Sequence, residues 1–230
     1  MKQFVLVLFL VTAGIAPAAN TISTTIGILR DQDGSVVSDT SLWAIVYDQD
    51  NNGTFAGGLE QNSSLTASDM IDALTTWANT TIEVGATVGG DLILAVLEID
   101  SFNTTGVDGV AGSDLDFDYA AQGLTAGRNW AIYWFPGLTM ASNTLGPTGF
   151  SIGGIHENSL LASGSDTTMA LPGGDGLNLT LALYDNVDPV LIGEGGQLPV
   201  SRLTAIPEPS AAFLGLVGLG WACMVRRRTT

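Results

Sequence analysis

The chain of 230 residues has very few of the residues that form disulfides, zinc sites and catalytic groups. Its one cysteine, Cys223, lies in an apolar run near the C-terminus, so the long segment before that run cannot be held by disulfides. Its one histidine, His156, lies in a predicted loop, where a surface position is the simplest interpretation. Zinc therefore lacks a set of His and Cys ligands. We expect no catalytic residues and a protein that is not an enzyme.

Basic residues are also scarce, with 7 Lys and Arg against 23 Asp and Glu. Between residues 19 and 206 only Arg30, Arg128 and Arg202 are basic, whereas every acidic residue except Glu208 lies there. Nucleic acid is excluded as a partner, because its binding requires Lys and Arg to neutralise phosphates. An acidic surface suits solubility outside the cell and attracts cations. Its simplest interpretation is a solvated face without a specific ligand.

The N-terminus has the three parts of a secretory signal peptide. Lys2 precedes an apolar run over residues 4–11, and the small residues Ala16, Ala18 and Ala19 follow. The run is short for a membrane span, which disfavours the alternative of an N-terminal anchor. The sequence predicts a signal peptide over residues 1–18, with cleavage after Ala18 or, alternatively, after Ala19, and export by the secretion machinery.

The C-terminus combines a rigid motif, an apolar helix and a basic end. Pro207, Glu208 and Pro209 keep the backbone extended, because proline has no amide hydrogen and restricts the residue before it. Residues 211–225 carry no charge and predict a short transmembrane helix. Basic residues after a span stay on the cytoplasmic side, which places the preceding chain outside. The basic end is formed by Arg226, Arg227 and Arg228.

This tail, residues 206–230, resembles the PEP-CTERM sorting signal of exported proteins. The resemblance implies that an exosortase-like membrane protease cleaves near the Pro-Glu-Pro motif, after the helix has held the protein in the membrane. It also implies a final place at the cell surface or outside the cell, with exopolysaccharide as an associated partner. The alternative is an ordinary single-span anchor. The resemblance says nothing about the exported domain, residues 19–205.

The exported domain has the pattern of an all-β, sandwich-like fold of the jelly-roll or immunoglobulin-like kind. Short alternating or β-branched runs are separated by turn residues and Gly-Gly pairs such as Gly57-Gly58 and Gly153-Gly154, which favour tight reversals. At most one short helix is expected, over residues 68–77. The predicted strands cover residues 21–29, 42–47, 91–99, 129–134 and 177–184, with weaker ones near Ile82, Phe150, Thr168 and Val200.

One loop has the spacing of a calcium ligand set, D-x-D-x-N-G. Asp48, Asp50 and Asn52 offer side-chain oxygens at its first, third and fifth positions, and the carbonyl of Thr54 would be the seventh-position ligand. The twelfth position, where an EF-hand has Glu, is Leu59. The sequence therefore favours a polar β-turn with solvated acids, and calcium is the alternative. Other acids that could complete the site are Asp31, Asp33 and Asp39, or Asp114, Asp116 and Asp118.

Three functional classes follow from these observations. The first is a surface or extracellular-matrix protein without enzymatic activity, which the two terminal signals favour. The second is a carbohydrate-binding module, with or without calcium as a stabilising ion. Its support is a set of aromatic residues so close together that some are expected to face outward: Trp130, Tyr133, Trp134 and Phe135. The third and least favoured is a hydrolase.

Overall fold

The computed structural model describes residues 19–27, 29–31, 35–65, 69–99, 109, 111–156, 168–173, 176–183 and 204–205. Within these ranges the chain is mostly β-strand with two short helices, so the prediction of an all-β fold is confirmed. The elements in chain order are β1 (Asn20–Ile26), β2 (Leu42–Tyr47), β3 (Thr54–Phe55), β4 (Leu59–Glu60), β5 (Ser63–Ser64), α1 (Met70–Trp77), β6 (Thr87–Val88), β7 (Asp91–Glu98), β8 (Ala111–Phe117), α2 (Tyr119–Gln122), β9 (Trp130–Phe135), β10 (Ser151–His156), β11 (Asn178–Leu183) and β12 (Thr204–Ala205).

Two sheets contain most of the strands. The larger sheet has the order β12-β10-β9-β2-β7-β6, with β5 also paired to β10. The smaller sheet has β1 at its centre, parallel to β11 and antiparallel to β8. Apolar side chains of both sheets, such as Ile22 of β1 and Trp43 of β2, belong to one hydrophobic cluster. The two sheets therefore share a core.

The larger sheet is buried on both faces at its centre. All six residues of β2 and all six of β9 are buried. Along β9, Trp130 and Trp134 belong to the cluster shared with the smaller sheet, whereas Tyr133 and Phe135 belong to a second cluster on the opposite face. Side chains of a strand alternate between faces, so a continuous aromatic run requires cover on both sides.

Helix α1 and the β3–β4 hairpin cover the second face. Ala73 and Trp77 of α1 and Phe55 of β3 are buried in the second cluster, and the Trp77 ring lies 4.9 Å from that of Tyr133. Gly57, in the β3–β4 turn, has a positive φ of 82°, and a Cβ there would lie 2.9 Å from Nε1 of Trp77. The turn therefore needs glycine both for its backbone conformation and for its close contact with the helix.

The glycine pair of β10 is not a reversal, contrary to the sequence prediction. Gly153 and Gly154 lie inside the strand, opposite Trp134 and Tyr133 of β9. A Cβ on Gly153 would lie 2.0 Å from Cε2 of Trp134. The missing side chains give the two aromatic rings their space, which is a packing role rather than a turn role.

The five main predicted strands and the predicted helix are present, whereas the weaker strands predicted near Ile82 and Thr168 are only isolated bridges, at Thr81 and Ala170. The prediction missed β8, because its alternating acids resemble a polar loop, and it also missed the two-residue strands β3, β4, β5 and β6. It missed α2 as well, so the expectation of at most one helix is wrong. Asp118 begins α2 by accepting a hydrogen bond from the Ala121 amide at 2.9 Å. Among the described residues no helix is both long and apolar enough to cross a bilayer. The predicted signal peptide, sorting motif, transmembrane helix and arginine cluster lie outside the described residues.

Candidate metal centre

The pairing of β2 with β7 brings two acidic residues together. These strands are antiparallel, with Val46 opposite Ile93 and Tyr47 opposite Leu92. One position further along this antiparallel register, each segment has an aspartate: Asp48, just after β2, and Asp91, the first residue of β7. Two residues that are 43 positions apart in the sequence thus become neighbours at one end of the sheet.

The loop after β2 adds a third carboxylate. Asp48 accepts hydrogen bonds from the amides of Asn52 at 3.2 Å and Gly53 at 3.3 Å, which folds the loop back over the strand end. Asn51 and Gly53 both have a positive φ, of 59° and 81°. This tight loop directs Asp50 toward the start of β7, where a Cβ on Gly90 would lie 2.8 Å from its Oδ2. The absent side chain of Gly90 is what permits that approach.

Asp48, Asp50 and Asp91 form the candidate metal centre, which we call the acidic triad. One carboxylate oxygen from each residue lies within 4.8 Å of the other two. Asp48 and Asp91 are each 1% exposed, whereas Asp50 is exposed to solvent. Asp48 is therefore not a solvated turn residue, contrary to the interpretation that the sequence favoured.

The two oxygens of Asp91 differ in their surroundings. Oδ2 accepts a hydrogen bond from the Ala56 amide at 2.8 Å, whereas the buried Oδ1 has no hydrogen-bond partner within the described part of the chain. Burial raises the pKa of Asp91 from 3.8 to about 7; the backbone amides of Ala56 and Gln49 lower this pKa, and the negative charges of Asp48 and Asp50 raise it. The carboxylate is thus both desolvated and repelled by its neighbours.

Ala56 connects the triad to the second hydrophobic cluster, on the face of the larger sheet that α1 covers, which we call the helix-covered face. While its amide binds Asp91, its carbonyl oxygen accepts hydrogen bonds from the Tyr133 hydroxyl at 2.6 Å and from Nε1 of Trp77 at 3.1 Å. Burial, with the negative charges of Asp91 and Asp69, raises the pKa of Tyr133 well above its usual value. Tyr133 therefore keeps its hydroxyl hydrogen and remains a donor.

Positive charge near the triad comes from Arg128. Its guanidinium donates hydrogen bonds to the carbonyl oxygens of Asp48, at 3.4 Å, and of Gln49. It binds the backbone of the loop rather than a carboxylate, and no ion pair within the described ranges involves Asp48, Asp50 or Asp91. Arg128 therefore orders the loop without forming an ion pair with any of the three carboxylates.

The predicted calcium loop is only partly reproduced by these contacts. Asp48 and Asp50 come together as expected. Asn52 instead uses its side chain within the loop, donating to Asp50 Oδ2 at 2.9 Å and accepting from the Thr54 amide at 2.7 Å. The Thr54 carbonyl stays a predicted ligand. Asp91 was missed, although an acidic residue directly after Gly89-Gly90, at the start of an apolar run, was an available signal.

The other acids proposed to complete the site lie elsewhere. Asp31 accepts a hydrogen bond from the Ser35 amide, and Asp39 from the Gly109 amide. Asp116, on β8 of the smaller sheet, accepts one from the Thr21 hydroxyl. Asp114 is exposed on the same strand, Asp118 caps α2, and Asp33 lies outside the described residues.

The single histidine is buried, contrary to the expectation of a surface position. His156 ends β10 and is 1% exposed; its Nδ1 accepts a hydrogen bond from the Asn62 amide at 2.9 Å, and its ring stacks on Phe55 at 5.2 Å. Sequence reasoning also overlooked one G-x-S-x-G spacing, around Ser151. Ser151 begins the same strand instead of a strand-to-helix turn, so it lies about 16 Å from His156 along β10. These two residues do not form a catalytic pair.

The aromatic residues of β9 are all buried, so the expectation that some face outward is wrong. All tryptophan and phenylalanine side chains within the described ranges are buried, and Tyr119 is partly exposed. This removes the observation that had favoured a carbohydrate-binding surface on β9.

Comparison with known proteins gives no further assignment. No protein-family model, no curated protein and no solved structure matches this chain.

Proposed function

We propose that the protein is an exported cell-surface or extracellular-matrix protein, sorted and processed through its PEP-CTERM-like tail. The single observation that carries the proposal is the agreement between the two ends of the sequence. The signal peptide directs residues 19–205 outward, and Arg226, Arg227 and Arg228 after the apolar segment keep only the extreme C-terminus on the cytoplasmic side.

The exported domain contributes a folded, strongly acidic unit rather than a catalytic one. Two sheets with a shared core support a sandwich-like classification, and the core forms without disulfides, as a domain lacking cysteine requires. Its partners in this proposal are the secretion machinery, an exosortase-like protease, the membrane before processing, and exopolysaccharide at the surface.

Mass measurement on the protein recovered from an exosortase-containing host tests the itinerary. We expect loss of residues 1–18 and of the segment beyond the Pro-Glu-Pro motif, with any attached group seen as added mass. A Glu208→Ala variant should keep the tail, whereas Glu83→Ala, at an exposed position in the domain, should be processed normally. A mature protein found in the cytosol, or a tail retained in every fraction, would refute the proposal.

A further inference from the structure

We propose that Asp48, Asp50 and Asp91 bind one calcium ion, which joins the loop after β2 to the start of β7 and stabilises the domain. This inference goes beyond sorting and does not depend on it, because all three residues lie in the described domain.

The unpartnered oxygen of Asp91 is the first reason. Oδ1 belongs to a residue that is 1% exposed, and it accepts no hydrogen bond within the described chain, although the Gln49 amide lies close to the Asp91 carboxylate. A buried carboxylate oxygen without a partner is costly, and native proteins rarely leave one so unless a ligand or water meets it. This oxygen belongs to the carboxylate that meets those of Asp48 and Asp50, so a cation bound by the triad would supply the missing partner.

Charge is the second reason. Three carboxylates lie together, two of them buried, and the nearby guanidinium of Arg128 is committed to the carbonyl oxygens of Asp48 and Gln49. Repulsion among carboxylates at this spacing favours either protonation or a bound cation. A divalent ion offsets the repulsion without removing the hydrogen bonds that hold the loop.

The ligand chemistry selects calcium. The triad offers only hard oxygen ligands, which exclude metals that prefer sulfur or imidazole. Its oxygens lie within 4.8 Å of one another, so an ion at their centre would lie within about 2.8 Å of each, and a small adjustment of the side chains would bring all three to a calcium–oxygen distance of about 2.5 Å. Calcium accepts irregular sets of six to eight oxygens, whereas magnesium requires a near-ideal octahedron and keeps its water. The predicted Thr54 carbonyl and water would complete the set, and exposed Asp50 provides the route of entry.

The contacts of Ala56 explain why a bound ion would stabilise the domain. Calcium would fix the Asp91 carboxylate, whose second oxygen holds the Ala56 amide; the Ala56 carbonyl in turn holds Tyr133 of β9 and Trp77 of α1. The ion would therefore fasten the β3–β4 turn and the helix-covered face to the central sheet. Unfolding would release it, so calcium should raise the melting temperature by mass action.

Thermal unfolding of the purified full chain tests this proposal. At a calcium concentration about 100-fold above Kd, we expect the melting temperature to lie about 5 °C or more above its value in chelator. Calorimetric titration should show one site. Asp91→Asn should abolish the calcium shift, because an amide can still accept from Ala56 but offers the triad one carboxylate fewer. The matched control Asp114→Asn, at an exposed position of β8, should behave as wild type.

A second variant keeps the test decisive if Asp91→Asn does not fold. Asp50 is exposed, so Asp50→Asn should fold normally and weaken calcium binding by roughly tenfold or more. Identical wild-type melting curves in calcium and in chelator would overturn the proposal, as would an unchanged Kd in Asp50→Asn. Equal shifts by magnesium and calcium would overturn the assignment to calcium. Failure of tail processing would leave each of these results unaffected.

Discussion

Asp91 occupies a position where a carboxylate is costly. It begins an apolar strand, it is 1% exposed, and it faces Asp48 and Asp50. Buried acids persist only when hydrogen bonds, protonation or a cation compensate for the lost hydration. Burial outweighs the amides of Ala56 and Gln49 and raises the pKa of Asp91 to about 7.

In chelator, we expect the stability of the protein to fall as the pH rises between about 4 and 7. The folded pKa of Asp91, about 7, lies above the ordinary value of 3.8, so over this interval the folded state retains a proton that the unfolded state has lost. At about 1.4 kcal/mol per pH unit, this corresponds to about 4 kcal/mol. The titratable groups that interact with Asp91 are Asp48, Asp50 and Tyr133.

Urea unfolding in chelator at about pH 4 and about pH 8 measures this difference. Because many other acids also titrate, the Asp91→Asn variant is the reference, and it should lose most of the pH-dependent component. Parallel wild-type and variant profiles would show that Asp91 is not the titrating group.

At the scale of elements, the register of β7 decides what the loop after β2 meets. A β-bulge interrupts the β2–β7 pairing between Ile45 and Val46. Consequently Leu94 and Ala95 both belong to the cluster between the sheets, while Ile93 belongs to the helix-covered cluster. Asp91 shares the face of Ile93 by strand alternation. The bulge therefore places Asp91 on the same side as Ala56 and α1.

The pairing of β9 with β10 depends on the absence of a side chain at Gly153. We expect Gly153→Ala to destabilise the protein by about 3 kcal/mol or more, because a Cβ would lie 2.0 Å from the Trp134 ring, which is packed among other core residues. Gly173→Ala is the control, because a Cβ there meets nothing within 4 Å. Urea unfolding of both variants would test this, and equal stabilities would contradict the described packing.

At the scale of the whole molecule, the acidic excess of the domain should weaken it at low ionic strength. Only Arg30, Arg128 and Arg202 oppose the acidic residues between positions 19 and 206, so repulsion favours expansion of the chain. Screening reduces that repulsion without requiring a specific site.

In chelator, we therefore expect sodium chloride to stabilise wild type and Asp91→Asn equally, by about 1 kcal/mol. Calcium at matched ionic strength should stabilise only wild type. Melting curves of both proteins in the two salts separate general screening from the triad. A salt effect as large as the calcium effect would indicate that calcium acts by screening alone.

Much of the fold follows from local patterns in the sequence. The run at residues 42–47 predicts β2 with its observed bounds, and the helix predicted over residues 68–77 is present as α1. Strand β8 escaped prediction because Asp114 and Asp116 point outward from an edge strand and give it the composition of a loop. Periodicity detects a strand when one face is apolar, and β8 has few apolar residues.

The candidate site shows the boundary between local and tertiary information most clearly. The sequence by itself determined that the domain is β-rich and acidic, that it has no disulfide, and that Asp48 and Asp50 lie in a tight loop, because composition and near-neighbour spacing decide these properties. Only the tertiary structure decided that Asp91 joins them, that His156 and the aromatic residues of β9 are buried, and that Gly153 lies inside a strand. Each of these properties depends on contacts between segments that are distant in the sequence. The pairing register of those segments is set when side chains pack on both faces of the larger sheet.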